Sequence, residues 1–419
     1  MKKAVMTGLL MASIAGMTVI SCSTSTIVES RIDSCFKFAG EQLRNTIAAI
    51  DDPAQFPSNT NADGAWETTE CRGWTSGFFP GCLWYMYEYT GDEEWKEQAM
   101  RWTGGLEEIK DYTDNHDVGF MIFNSYGHGY RLTNNRAYKD VIIQASRSLA
   151  TRYNPTVRSI MSWNPRGEWQ FPVIVDNMMN LELLYWAAKN GGSHILFGVA
   201  LNHARTTTRN HVRPDGSTFH VVDYDPDTGE IRGKYTHQGY SRDSAWARGQ
   251  AWALYGFTMT SRETKNPQML DTAQKVADYF VDHLPEDYVP YWDFQAPDSP
   301  DEPKDTSAAA IAASGLLELA TLVRDVAKKE KYHSAAVNIL KSLSSSEYLA
   351  KGTNSIGILL HGVANKPGNS GVDVSLIYGD YYFLEALLRL KRGLENRRNK
   401  KTYSRICSDS YRQIIGRLS

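Results

Sequence analysis

The sequence has 419 residues, of which 42% are hydrophobic and 22% charged, with a formal net charge of −3 at pH 7. That length allows one large domain or two ordinary ones, and so balanced a charge leaves no electrostatic footprint for nucleic acid. The 11 Trp and 23 Tyr residues serve packing first, and their flat faces also suit sugar rings.

Lys2 and Lys3 precede an apolar stretch from Ala4 to Ile20, the form of a secretory signal. It ends in VISC, followed by STST, which resembles a bacterial lipobox. Residues 1–21 are expected to be removed and Cys22 to carry lipid; a plain signal peptide with a chance cysteine is the other reading. No second apolar run approaches the ~18 residues of a membrane span. The expectation is a lipoprotein of the cell envelope, anchored in the membrane and facing the periplasm. Cys35, Cys71, Cys82 and Cys407 fit no zinc or haem spacing. An oxidising compartment permits a disulfide among them without indicating one.

Residues 22–393 read as one all-α domain of about twelve helices, in two alternating kinds. One kind follows a turn signal and keeps a charged face, as in GDEEWKEQAM, NNRAYKDVII, NPQMLDTAQKVA and EKYHSAAVNIL. The other is apolar nearly all round and therefore buried. It comprises WTSGFFPGCLWYMYEY, DVGFMIFNSYGHGY (the weakest), VDNMMNLELLYWAA, SAWARGQAWALYGFTM, TSAAAIAASGLLELA and YGDYYFLEALLRL. A hairpin of one outer and one inner helix cannot bury its inner face alone, so six such pairs predict a closed α/α toroid. An open helical solenoid is the alternative. Between them, residues 215–240 alternate and carry turn signals at DGS and DPDTGE, predicting a hairpin at the cleft end. Asp223, Asp225 and Asp227 imitate a calcium loop there. Gly229 falls one place late and Lys234 stands where the glutamate belongs, so no metal is expected. Residues 394–419 form a basic extension that reads as solvated.

If inner and outer helices alternate in direction, the polar starts of the inner helices converge at one end. Trp74, Ser76, Asp117, Asp176, Asn177, Trp246, Arg248, Asp305 and Asp380 would then line a cleft, the default candidate site. A carboxylate at such a helix start also has an ordinary structural use, because free N–H groups and the dipole favour it. For any single one of these aspartates, N-capping is the commoner explanation.

Five stretches stand together in chain order: RGWTSGFFPG (72–81), HDVGF (116–120), VDNMMN (175–180), HVVDYDPDTGE (220–230) and THQGYSRDSAWARGQAW (236–252). They resemble glycoside hydrolase family 88, the unsaturated glucuronyl hydrolases, from about residue 60 to 390. WARGQAW and the late GDYYF are shared with unsaturated rhamnogalacturonyl hydrolases, which act on pectin fragments. The resemblance implies a six-hairpin α/α barrel. It also implies hydration of the enol-ether bond of a 4,5-unsaturated uronic acid at the non-reducing end of lyase-generated oligosaccharides. The two-carboxylate attack on an anomeric carbon does not apply. By matching position, Asp176 is the general acid/base and Asp117 its carboxylate partner. His220 and Gln238 are polar contacts around the reacting sugar, Arg248 pairs with the uronate, and Trp74, Trp163 and Trp252 offer stacking faces. Two neighbouring carboxyls resist double ionisation, which raises one pKa. A non-catalytic sugar-binding lipoprotein on the same toroid is the rival of another class. No HExxH or carboxylate–histidine cluster appears, so no metal or cofactor is expected. The loop ANKPGNSGVD, with Lys366 and Ser370, lies where a substrate sulfate could be read.

Overall fold

The computed structural model describes residues 28–415 apart from 298 and 300, with side chains described as far as residue 399. The expected signal segment and Cys22 lie outside the described residues. Outer helices α1 (28–49), α3 (Glu93–Gly104), α6 (Arg136–Ala150), α8 (Ile195–Asn210), α10 (Pro267–Asp282) and α12 (Val326–Leu343) alternate with an inner set. The inner set is α2 (Phe78–Thr90), α4 (Val118–Ile122) continued by α5 (His128–Thr133), α7 (Asn177–Lys189), α9 (Ala247–Thr264), α11 (Thr306–Leu322) and α13 (Ile377–Ile415). Each inner helix packs on the next and α13 packs back on α2, so the ring closes. The expected six-hairpin toroid is what forms, and the open solenoid is excluded by that closing contact.

The two kinds of helix start differently. Four outer helices open with a true cap: Asp92, Asn135, Asn266 and Asp325 accept backbone N–H bonds from Glu94, Ala137, Gln268 and Lys328. Each such cap stabilises its helix by about 1 kcal/mol. Among the inner helices, the cap positions of α2, α4, α7 and α9 make no side-chain cap bond, while Asp305 caps α11 through Ser307. Asp176 therefore stands at the start of α7 without capping it. Its own backbone is already helical, at φ −55° and ψ −28°, whereas a capping residue sits in the extended region.

Inner helices pack closely because small residues sit at their seams. A Cβ on Gly119 would fall 2.6 Å from Asn180 Cα, and one on Gly256 would fall 2.5 Å from Met178 Cβ. Both positions press on α7, the helix that begins at Asp176. The weakest inner segment of the sequence is indeed irregular. Between α4 and α5 the chain widens into a π-helical turn at Phe123–Gly127.

Short strands dress the end where the inner helices begin. The expected hairpin forms from Val221–Tyr224 and Ile231–Tyr235. A third antiparallel strand, Phe171–Ile174, joins it with Ile174 opposite Val221. That strand is the apolar run preceding Asp176, so the carboxylate sits where a strand hands over to a helix. The Asp225 carboxylate accepts the N–H groups of Asp227 and Thr228 and closes the turn. A second hairpin pairs Gly362–Asn365 with Ser370–Val374.

The seams give a direct test. Gly256→Ala should destabilise the fold by about 1–3 kcal/mol through overpacking against Met178, read as a lower urea midpoint. Gly198→Ala on α8, where an added Cβ meets nothing within 4 Å, should be neutral or stabilise by up to about 1 kcal/mol. Equal losses at both positions would refute the seam argument.

Candidate active site

At the strand-dressed end, Trp74, Asp117, Phe120, Trp163, Asp176, Gln238, Trp246 and Arg248 line a cavity of about 150 Å³, together with Asn115 and Ile174. A larger cavity of about 450 Å³ opens between the inner helices toward their C-terminal ends. Its charges are already paired: Arg262 meets Glu182 and Glu318, and Arg389 meets Glu318 and Glu385. Size alone therefore does not mark the chemistry.

The smaller cavity holds carboxyls in an unusual state. Asp176 is 9% exposed, and its Oδ2 is buried with no hydrogen-bond partner. Burial pushes its pKa up to about 7, opposed by the Arg248 charge and reinforced by Asp117. Asp117 also rises to about 7, again through burial, with Asn180 and Asn115 pulling the other way. Desolvation is thus the leading cause in each, and charge repulsion adds to it at Asp176.

Two histidines back these carboxyls. His220 Nδ1 accepts the backbone N–H of Gln238 at 3.3 Å, so in a neutral ring Nε2 carries the proton. Nε2 lies 3.6 Å from Asp176 Oδ2. Burial lowers the His220 pKa well below the ordinary value, helped by the His237 and Arg248 charges, so the ring is neutral. His116, lowered to about 3 by burial, places Nε2 3.3 Å from Asp117 Oδ1. Asn180 ties this group to α7. Its Oδ1 accepts the Phe120 N–H at 2.9 Å, and its Nδ2 reaches Asp117 Oδ1 at 3.5 Å.

Arg248 is 2% exposed and pairs with Asp305 at 3.2 Å. It also donates to the carbonyls of Val363 and Ala364. Its Nε is buried without a partner. Of five donors on a guanidinium, three are engaged, which leaves the buried Nε–H and one Nη2 hydrogen uncommitted. Gln238 Nε2 donates to the same Ala364 carbonyl at 3.1 Å. The Gly362–Asn365 hairpin is thereby locked to the cavity wall.

The model of Glycosyl Hydrolase Family 88 matches residues 45–385. The chain belongs to this family. It is 48% identical over 323 residues to an unsaturated glucuronyl hydrolase of Formosa agariphila, covering 76% of this chain and 80% of the relative. The crystal structure of an unsaturated glucuronyl hydrolase specific for heparin superposes with a TM-score of 0.83 at 44% identity, covering 86% of this chain and 97% of the other. A mutant unsaturated glucuronyl hydrolase of Streptococcus agalactiae, solved with dGlcA-GalNAc6S, superposes at 0.75 with 33% identity, covering 86% and 91%.

Of the residues that the family 88 motifs single out, the structure gathers Asp117, Asp176, Trp74, Trp163, Gln238 and Arg248 around one cavity. His220 stands behind Asp176 rather than on the cavity surface. Trp163 stacks on Trp169 at 5.4 Å, under the Arg166 guanidinium. Trp252 is a correction. It is 1% exposed and wedged between Phe120 and Tyr382 in the core, so it offers no stacking face. Six residues separate it from Trp246, about 9 Å of helix, and Trp246 is the one at the mouth. The wider convergence of polar helix starts is also partial. Asp380 accepts the N–H groups of Ile358 and Leu359, Asn177 bonds the Ile160 carbonyl, and Ser76 bonds the Cys71 carbonyl. Trp246, expected in the cleft from its place at a helix start, does line it, while Asn115, Phe120 and Ile174 were not assigned a site role from the sequence, although HDVGF contains Phe120. Lys366 is paired with Glu302 at 3.0 Å. Cys35, Cys71 and Cys82 are free thiols, and the Cys407 side chain lies outside the described residues.

The raised Asp176 pKa has a consequence for stability. A carboxyl whose folded pKa exceeds its unfolded value binds its proton more tightly when folded. Its stabilising effect is full below pH 3.8 and is lost as pH rises to about 7. Asp176→Asn removes that loss. The variant should match the parent near pH 4 and exceed it above pH 7 by up to about 4 kcal/mol, measured by urea unfolding across the range. A pH-independent difference would contradict the buried, protonated carboxyl.

Proposed function

We infer that the chain is an unsaturated glucuronyl hydrolase. It removes a 4,5-unsaturated uronic acid from the non-reducing end of glycosaminoglycan oligosaccharides left by a lyase. The observation that carries the assignment of roles is the pair of buried carboxyls, both near neutrality, on the wall of a cavity sized for about one sugar ring.

The chemistry needs a proton delivered to carbon 4 of the enol ether and a water deprotonated as it adds to carbon 5. Asp176, protonated below about pH 7, donates the first proton. The cation that forms at carbon 5 is shared with the ring oxygen. Asp176, now a carboxylate, takes a proton from the incoming water and returns to its starting state. One group serves as acid and then base because its pKa lies near the working pH. The neutral His220 ring stands 3.6 Å behind the carboxyl and adds no cation, and Asp117, once ionised, raises the Asp176 pKa further. The hemiketal opens to a ketone and the remaining sugar is released. Trp74, Trp163 and Trp246 wall the ring, and Arg248, which lines the same cavity, offers the uronate carboxylate a cation of planar donor geometry. A purely sugar-binding role would gain nothing from burying two carboxyls beside an acidic ligand.

Hydration destroys the conjugated double bond, so loss of its ultraviolet absorbance reports turnover. A panel of unsaturated disaccharides from chondroitin, hyaluronan and heparin should identify those that are turned over. On the best of them, Asp176→Asn should lower kcat by at least roughly 10²–10⁴-fold. The parent rate should fall as pH rises through about 7 and the acid is lost. Full turnover by a folded Asp176→Asn protein would remove the acid/base role.

We also propose that the mature chain begins at Cys22 and is anchored by lipid in the cell envelope, facing the periplasm. The support is the VISC sequence after an apolar run. Intact-mass analysis of the native protein should give a diacylated or triacylated Cys22; an unmodified N-terminus elsewhere would overturn it.

A further inference from the structure

A cavity of about 150 Å³ takes one sugar ring, so the rest of an oligosaccharide lies at its mouth. Exposure marks that mouth. Trp74, Asn115, Trp163 and Gln238 are partly exposed, whereas the other lining residues are buried. The second sugar of the substrate leaves past these four side chains.

Most of the cations near this rim are committed. Arg72, two residues before Trp74, pairs with Glu108 at 3.2 Å. Arg152 is buried and donates to the carbonyls of Thr113 and Met161 and to Asn164. Lys366 follows the hairpin strand whose Ala364 carbonyl holds Gln238, and it pairs with Glu302.

Arg166 differs. It is exposed, and among the described residues no side chain or carbonyl takes a hydrogen bond or an ion pair from its guanidinium. Its Cζ lies 4.7 Å from the centre of the Trp163 ring and 5.5 Å from that of Trp169. Those two indoles stack at 5.4 Å with 22° between their planes. Trp163 thus contacts both the cavity and the guanidinium, and a single side chain separates the cation from the cavity.

The backbone holds this arrangement in place. Arg166 and Trp169 exchange backbone hydrogen bonds of 3.1 and 3.3 Å across a turn at Gly167 and Glu168. Gly167 has φ +57°, a left-handed conformation that glycine adopts without steric cost. The turn brings Trp169 back against the guanidinium. Stacking on an aromatic face steadies an arginine and leaves its donors free for another partner. His237 completes the rim, 5.9 Å from Trp163 and 5.1 Å from Trp169. Burial, and then the Arg166 charge, lower its pKa, so its ring is neutral at neutral pH and the rim's uncommitted cation is Arg166.

We propose that Arg166 determines specificity by binding a sulfate group on the second sugar of the unsaturated substrate, the one that becomes the leaving sugar. The identity of this ligand rests on the hydrolase reading above; the uncommitted guanidinium does not. An anion with several acceptor oxygens suits a planar fork of free donors. A neutral sugar would use the indole face alone and gain nothing from the cation.

The test measures affinity by calorimetry in the Asp176→Asn protein, so that turnover is not required. The probes are unsaturated disaccharides without sulfate, with 6-O-sulfate and with N-sulfate on the amino sugar. At least one sulfated probe should bind about tenfold more tightly than the unsulfated one, and added salt should narrow the difference. Arg166→Met keeps a chain over Trp163 and removes the cation. It should abolish the preference and leave the affinity for the unsulfated probe unchanged. Arg166→Lys keeps the charge without the fork and should retain part of the preference. Equal losses on sulfated and unsulfated probes would show that Arg166 only steadies Trp163, and would overturn the proposal. So would equal affinity for all probes, or a preference that survives Arg166→Met and disappears in Lys366→Ala. Loss of ultraviolet absorbance from the unsulfated disaccharide with the unaltered protein reports the hydrolase reading separately. Turnover without an Arg166-dependent preference leaves that reading standing and sinks this one; the preference without turnover does the reverse.

Discussion

Everything in this molecule follows from the fact that one helical hairpin cannot bury its own inner face. Six of them must close on each other, and the closing contact between α13 and α2 completes the ring. Closure forces the inner helices to run in the same direction. Their starts then share one mouth, and whatever polar residues stand there are brought within reach of one another. The same constraint demands small residues at the seams, since the inner helices have no room for a Cβ at Gly119 or Gly256. A pocket made this way rests on stiff elements, which hold geometry better than loops do.

The pocket departs from ordinary helix economy. Four outer helices use Asp or Asn to satisfy their first turns, while Asp117 and Asp176 leave theirs without a side-chain cap. The carboxyls are withheld from the nearest donors that would have kept them ionised. Burial then dominates and moves both into the range where a proton can be given and taken at neutral pH. Neutral His220 and His116 stand behind them without adding a cation, so the proton stays on the carboxyls. The nearby positive charge, Arg248, is largely neutralised by Asp305. Three of its donors are committed to Asp305, Val363 and Ala364, so its direction is fixed. Such a site costs stability at high pH, where the buried carboxyls ionise.

The Gly362–Asn365 hairpin connects distant parts of the chain to this arrangement. The Ala364 carbonyl takes bonds from both Arg248 and Gln238, and Val363 adds a third contact to the guanidinium. Residues more than a hundred positions apart in sequence are thus required to orient one side chain. Lys366 of the same loop is committed to Glu302.

The toroid was legible in the sequence because its cause is local and repeated: the periodicity of six all-apolar helices alternating with amphipathic ones. The motifs HDVGF, VDNMMN and WARGQAW likewise marked most of the pocket, since residues at helix starts converge in any closed ring of this kind. What the sequence could not determine was direction and depth. Trp246 and Trp252 look alike in WARGQAW, and only two turns of helix placed inside a packed barrel make one a wall of the site and the other core. Asp176 looks like a cap, and only its backbone angles and the burial imposed by its neighbours make it a carboxyl that caps nothing and has a raised pKa. The partner of Arg248 is equally invisible in sequence, because Asp305 and Ala364 come near it only once the ring has closed. Spacing along the chain fixes which faces are apolar. Desolvation and long-range pairing, which set pKa values and decide which donors are committed, exist only in three dimensions.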